Sequence, residues 1–199
     1  MEDYQNLKYA EKFGDLVSYA RKIDKNIGNG SQFSTAVLKN YFKLMAYKDE
    51  YEVSRLMTNK KFVDDVNKNF EGNFNYNFYL APPIFSKKSK VDGKLVKIKF
   101  GGWLFNIFKL LSKFKFLRGT KLDPFGYLDE RKKERELIRD YKQTITDIGT
   151  KINKSNYETA VKIASIPDQI RGFGHVKEKN IKEAINYRTD LLNSFHENT

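Results

Sequence analysis

His175 and His196 are the chain's whole supply of imidazole, and it has no cysteine. Disulfides, thiol nucleophiles, thiolate zinc sites and cysteine-ligated iron–sulfur clusters are thereby excluded. A zinc site would need both histidines together with distant carboxylates, a constellation the spacing does not support. His196 lies close to the last residue, where an ordered catalytic base is not expected.

Arg171 and His175 are the strongest local candidates. An arginine offers a fixed fork of donors, and a histidine beside flexible backbone can bind an anion or transfer a proton. The same two side chains can equally satisfy carbonyls or carboxylates and pin an irregular loop. Arg118, beside Gly119-Thr120, is a second candidate for binding an anion or a partner, with the same structural alternative. Around these residues Gly119, Asp123, Pro124, Gly126, Gly172 and Gly174 are candidate loop-shaping positions, where Gly119 and Gly126 permit positive φ. Gly172-Phe173-Gly174 follows no parallel strand, so it lacks the strand-to-helix turn that a dinucleotide loop requires. Lys48, Asp49, Glu50 and Glu52 read as a salt-linked polar helix face, with Arg55 placed to pair with Glu52. No residue is assigned a catalytic, cofactor-binding or metal-binding role.

The elements that must position these groups are mostly helical. Tyr9, Phe13, Leu16, Ala20, Ile23 and Ile27 recur at threes and fours, which predicts an amphipathic helix ending at Gly28-Asn29-Gly30-Ser31. A second helix is expected from a cap at Ser34 toward Met57, and a short third one over residues 60 to 70. Residues 74 to 80 alternate as a strand, Pro82-Pro83 ends it, residues 86–94 read as an exposed lysine-rich turn, and Val91 to Phe100 supplies a returning strand. Trp103 to Phe114 is the most apolar helix; it reads as a core helix, with a membrane-surface helix as the alternative. A charged helix is expected to run to Ile148 with Gly149 as its stop. Ser155 and Glu158 have the spacing of a capping box, and a last helix reaches Phe195. The pattern predicts a predominantly α fold with a small two-stranded hairpin, organised as one helical, bundle-like domain over residues 1–199.

Composition narrows the function classes. The chain has 37 Lys and Arg against 25 Asp and Glu, a formal charge of +12, and 16 Phe and 12 Tyr for a core. Such a charge attracts nucleic acid, anionic lipid or an acidic protein without choosing among them. The aromatics coincide with the core faces, and no nucleic-acid-reading motif is visible, so nucleic acid is the lesser expectation. No segment has the roughly 20 apolar residues of a spanning helix. The start, Met1-Glu2-Asp3-Tyr4, has neither a basic nor an apolar leader region, so a cytoplasmic protein is expected.

The run Tyr41-Phe42-Lys43-Leu44-Met45-Ala46-Tyr47-Lys48-Asp49-Glu50-Tyr51-Glu52-Val53-Ser54-Arg55-Leu56 resembles the C-terminal region of indolepyruvate ferredoxin oxidoreductases. The resemblance continues in order through Leu80-Ala81-Pro82-Pro83, Phe100-Gly101-Gly102-Trp103, Leu117-Arg118-Gly119-Thr120, Asp123-Pro124-Phe125-Gly126-Tyr127, Glu130-Arg131 and Ile170-Arg171-Gly172-Phe173-Gly174-His175-Val176-Lys177. It covers nearly the whole chain. It implies thiamine diphosphate and iron–sulfur chemistry on 2-oxoacids in a wider complex with ferredoxin as acceptor. It places no cofactor residue here, because the chain looks like only the tail of the longer family polypeptide. The expectation is therefore a non-catalytic accessory or structural part, assembling with separately encoded catalytic domains and holding no cofactor itself. A stand-alone basic module for nucleic acid or an acidic protein, and a nonfunctional gene fragment, are the alternatives.

Overall fold

The helical periodicity resolves into a predominantly helical bundle with one small antiparallel hairpin. The computed structural model describes residues 1–70, 72, 75–80, 96–172 and 174–198. Contacts divide the chain into two compact units. One comprises Met1–Tyr47 with Gly126–Thr199, and the other, Lys48–Phe125, is inserted between those segments in sequence.

In the first unit, α1 (Leu7–Ile27) starts where the Asn6 side chain accepts from the Tyr9 N–H at 2.9 Å and ends at Gly28, whose φ of 73° is left-handed. α2 (Gln32–Met45) packs against α1, and also against α6 (Asp129–Gly149) and α7 (Tyr157–Ser165). A 3-10 turn, Ile166–Gln169, leads from α7 towards the last helix, named α8 below (Gly174–Glu197). Phe33, Val37, Ile145, Ala160 and Phe195 are fully enclosed in the core, and the rings of Phe13, Tyr41 and Tyr141 stack in series at 6.0 and 5.9 Å. Gly149 is the last residue of α6 rather than a residue beyond its end. A Cβ there would lie 2.6 Å from the Tyr19 hydroxyl, so its missing side chain is what lets α6 approach α1.

In the second unit, α3 (Glu50–Met57) packs on α5 (Leu104–Lys113), and α4 (Lys60–Asn69) follows α3. β1 (Phe78–Leu80) pairs antiparallel with β2 (Ile98–Phe100), Phe78 opposite Phe100. Phe78 and Tyr76 reach α5, edge-on to Phe108 at 5.2 Å and stacked on Phe105 at 5.7 Å. The expected lysine-rich turn at 86–94, Pro82-Pro83 and the first part of the returning strand lie outside the described residues.

Two local expectations change. The single helix expected from Ser34 to Met57 is two: α2 is preceded by Ser31, and the chain leaves the helix at Ala46. Asp49 then caps a new one, its carboxylate accepting from the Glu52 N–H at 2.8 Å. A cap at Asp49 requires non-helical backbone there, so Lys48 is not on a helix and has no Glu52 one turn away. The Ser155 capping box does not form either; Asn156 precedes α7, and Asn153 Oδ1 accepts from the N–H groups of Ser155 and Asn156. Of the two glycines that permit positive φ in the 118–126 loop, Gly119 uses it, at 74°, and Gly126 does not.

Candidate functional site

Two constellations gather the polar groups singled out above. The first lies within Lys48–Phe125 and is buried. Asp49 and Arg118, 69 residues apart, form a two-pronged ion pair, with Arg118 Nε and Nη2 donating to Asp49 Oδ2 and Oδ1 at 2.5 and 2.9 Å. Both side chains are 3% exposed. Beside them the Tyr51 hydroxyl donates to Asp123 Oδ1 at 3.1 Å. Asp123 Oδ2 accepts from the Gly119 N–H at 2.7 Å and Oδ1 from the Phe125 N–H at 3.1 Å. The Tyr51 ring lies 5.7 Å from the Arg118 guanidinium and edge-on to Phe125 at 5.4 Å. Burial, and then the charge and hydrogen bond of Asp123, push the Tyr51 phenol above its ordinary range.

These groups satisfy one another, which is how buried charges and hydroxyls become tolerable. Their arrangement holds a loop. Asp123 closes the turn that begins at Gly119, and Arg118 ties that turn to the start of α3. The anion bound by Arg118 is thus an internal carboxylate. Asp49, read as part of a salt-linked polar helix face, is salt-linked, but to Arg118 and in a buried position, a partner that periodicity did not find. The signal for it is its cap spacing, Asp49-x-x-Glu52, which marks a helix start. Arg55 does pair with Glu52, at 2.7 and 2.8 Å.

The second constellation lies in the first unit, around the turn between α7 and α8, and faces outward. Lys43 Nζ donates to the Pro167 carbonyl at 2.6 Å, and Lys39 pairs with Asp168 at 2.9 Å. Arg171 Nε donates to the Asp168 carbonyl at 2.8 Å, while the Arg171 carbonyl accepts from Asn180 Nδ2 at 2.8 Å. Lys177 pairs with Glu134, and Lys133 with Glu178 at 2.8 Å. Burial lowers the Lys43 ammonium from its ordinary value; Asp168 opposes this, and Arg171, Lys39 and Lys177 add to it. Arg171 and His175 are both exposed. Gly172 and Gly174 take φ of 90° and 55°, and a Cβ at Gly172 would lie 2.8 Å from Val176. Both positions therefore hold backbone conformations that favour glycine, and Gly172 also leaves room for Val176. This surface can attract a carboxylate or phosphate group, and Arg171 is the sequence candidate it contains. Lys39 and Lys43 come to it from α2, distant in sequence, and Lys177 from the first turn of α8; Lys43 and Lys177 lie within the resembling segments, but residue type and spacing did not single them out.

Among the described residues no group of three histidine, aspartate or glutamate side chains could hold a metal ion, and no helix is long and apolar enough to cross a membrane. Residues 1–189 match the model of a family of unknown function, DUF6537. No curated protein and no solved structure matches the chain.

Proposed function

We propose that this chain, which belongs to the DUF6537 family, is a non-catalytic accessory or structural part of a thiamine-dependent 2-oxoacid ferredoxin oxidoreductase of the indolepyruvate type. One observation carries the reading. The segments that resemble those enzymes, Tyr41 to Leu56 and Leu117 to Tyr127, are joined through buried pairs between Asp49 and Arg118 and between Tyr51 and Asp123. These four motif residues are thus spent on holding a fold. This supports a domain whose value to an enzyme lies in its surfaces, with the thiamine and cluster chemistry residing in the catalytic domains.

Coexpression with the proteins that supply thiamine-binding and iron–sulfur domains beside its gene is the direct test. The expected result is a stable complex, together with no turnover of 2-oxoacid, coenzyme A and electron acceptor by the chain alone. Robust turnover by the isolated chain would overturn the proposal, and so would failure to associate with each of those proteins.

A further inference from the structure

The α5 helix and the 3-10 turn that follows it, Phe114–Leu117, present an apolar stripe to the outside. At 100° per residue, Trp103, Ile107, Leu110 and Phe114 fall within a narrow arc. Trp103 and Leu110 are each 58% exposed, and Phe116, whose ring lies 5.9 Å from that of Phe114, is 59% exposed. The helix does have a packed side: Leu104 and Phe108 are buried, and α5 packs on α3. The stripe is therefore a second apolar face on a helix that already has its core contacts. Scattered exposed hydrophobics need no explanation, whereas a contiguous aromatic and aliphatic strip marks an interaction surface.

Charge indicates what covers it. From Val96 to Leu122 there is no aspartate or glutamate, while Lys97, Lys99, Lys109, Lys113, Lys115 and Lys121 stand in that stretch. Residues 48–125 carry 16 Lys and Arg against 8 Asp and Glu, so this segment holds +8 of the chain's +12. On the helix, Lys109 and Lys113 lie on one flank of the stripe, while the packed side of Leu104 and Phe108 lies on the other. An interfacial helix carries Lys and Arg over a solvated polar face, whereas the side of α5 away from the stripe packs on α3. A one-sided lysine flank instead matches a shaped partner with an apolar groove and carboxylates along one rim.

We infer that the stripe of Trp103, Ile107, Leu110, Phe114 and Phe116 is a docking surface for a protein partner with an apolar groove bordered by acidic residues. The inference rests on the accessory reading and names the surface by which the chain meets the catalytic domains. Aromatic residues at the centre and charges at the rim would divide the work in the usual way, apolar burial giving affinity and the lysines giving orientation and rate.

Trp103 is the chain's single tryptophan, so it reports on the stripe alone. The chain labelled with 5-fluorotryptophan should show one fluorine resonance that a soluble paramagnetic agent broadens freely when the chain is alone and much less after it is mixed with separately purified, unlabelled partner. Ile107→Asp with Leu110→Asp should reduce copurification at least tenfold. Lys109→Glu with Lys113→Glu should weaken association several-fold and flatten its salt dependence. Lys142→Ala, at an exposed position of the other unit, should copurify as the wild type does. Unchanged circular dichroism in each exposed-site variant separates lost docking from lost folding. If the wild type and the Ile107/Leu110 variant copurify equally, the stripe is not the contact and the accessory reading stands. If the wild type does not associate, the accessory reading fails and the stripe's assignment with it. Protection of Trp103 in the chain alone would show that the stripe is already covered. Protection by phosphatidylserine vesicles but not by the partner would assign it to a membrane surface and overturn the protein assignment.

Discussion

Tyr157 and Asp24 stand 133 residues apart in the chain, and the tyrosine hydroxyl donates to Asp24 Oδ1 at 2.6 Å. The other carboxylate oxygen accepts from the Ser34 N–H at 2.8 Å, and the Tyr157 oxygen accepts from the Phe33 N–H at 3.1 Å. Two orphan donors at the start of α2 are thus satisfied by residues from α1 and α7, and Ser31 makes no side-chain cap bond. The cap that sequence reading looked for in a local serine is tertiary.

Tyr157→Phe should consequently destabilise the chain by about 1–3 kcal/mol, because it leaves a buried N–H and a buried carboxylate oxygen each short of a partner. Urea denaturation of the variant and the wild type measures this. A change within a few tenths of a kcal/mol would show that the start of α2 does not depend on the tyrosine.

Arg118→Ala should cost more, roughly 3–5 kcal/mol, since it strands the Asp49 carboxylate in a site with almost no access to water. Asp49→Asn should cost a comparable amount, because the paired arginine loses its counter-charge although the amide oxygen can still cap α3. The double variant should cost clearly less than the sum of the two, as expected for residues that act as a pair. Additive losses in a double-mutant cycle by urea unfolding would refute the coupling.

These two networks show where the sequence was legible. The apolar repeats located α1, α4, α5, α6 and the body of α8, because 3.6-residue periodicity is a local property. The alternation around Phe78 located the hairpin for the same reason. The break between α2 and α3 was hidden, because Val37, Tyr41, Leu44 and Tyr51 carry an apolar pattern across it. The new helix starts at a carboxylate that caps it and whose ion-pair partner is 69 residues away. Gly149 was recognised as a helix-ending residue, yet its closeness to Tyr19 depends on which helix lies beside it. Among the site candidates, Arg118 and Arg171 were found by residue type and neighbouring glycines. Type alone could not tell the buried, internally paired arginine from the exposed one.

The buried phenols set the response to alkali. Burial is the leading cause that raises Tyr51, Tyr141 and Tyr157 above the ordinary tyrosine range; Asp123 adds to it at Tyr51, Asp168 at Tyr141 and the Asp24 hydrogen bond at Tyr157. In the unfolded chain these groups lose their protons near pH 10. Above that pH the folded state keeps protons that the unfolded state has released. Stability contributed by the protonated phenols is therefore complete below about pH 10 and falls as pH rises beyond it, by up to about 1.4 kcal/mol per pH unit for each phenol. Lys43 has the opposite sign. Its lowered value means the folded state binds fewer protons between that value and the ordinary lysine range, so deprotonation there favours folding as pH rises. Burial also raises Tyr19 and Tyr41, so five phenols outweigh one ammonium, and the net expectation is a steep loss of stability between roughly pH 10 and 11. Urea midpoints taken across roughly pH 8 to 11 should be flat at first and then drop, with tyrosinate absorbance rising late and together with unfolding. Tyr51→Phe should start from a lower midpoint, because Asp123 loses a donor, and should fall less steeply with pH. An equal slope in that variant would mean that Tyr51 ionises in the folded protein as freely as in the unfolded one.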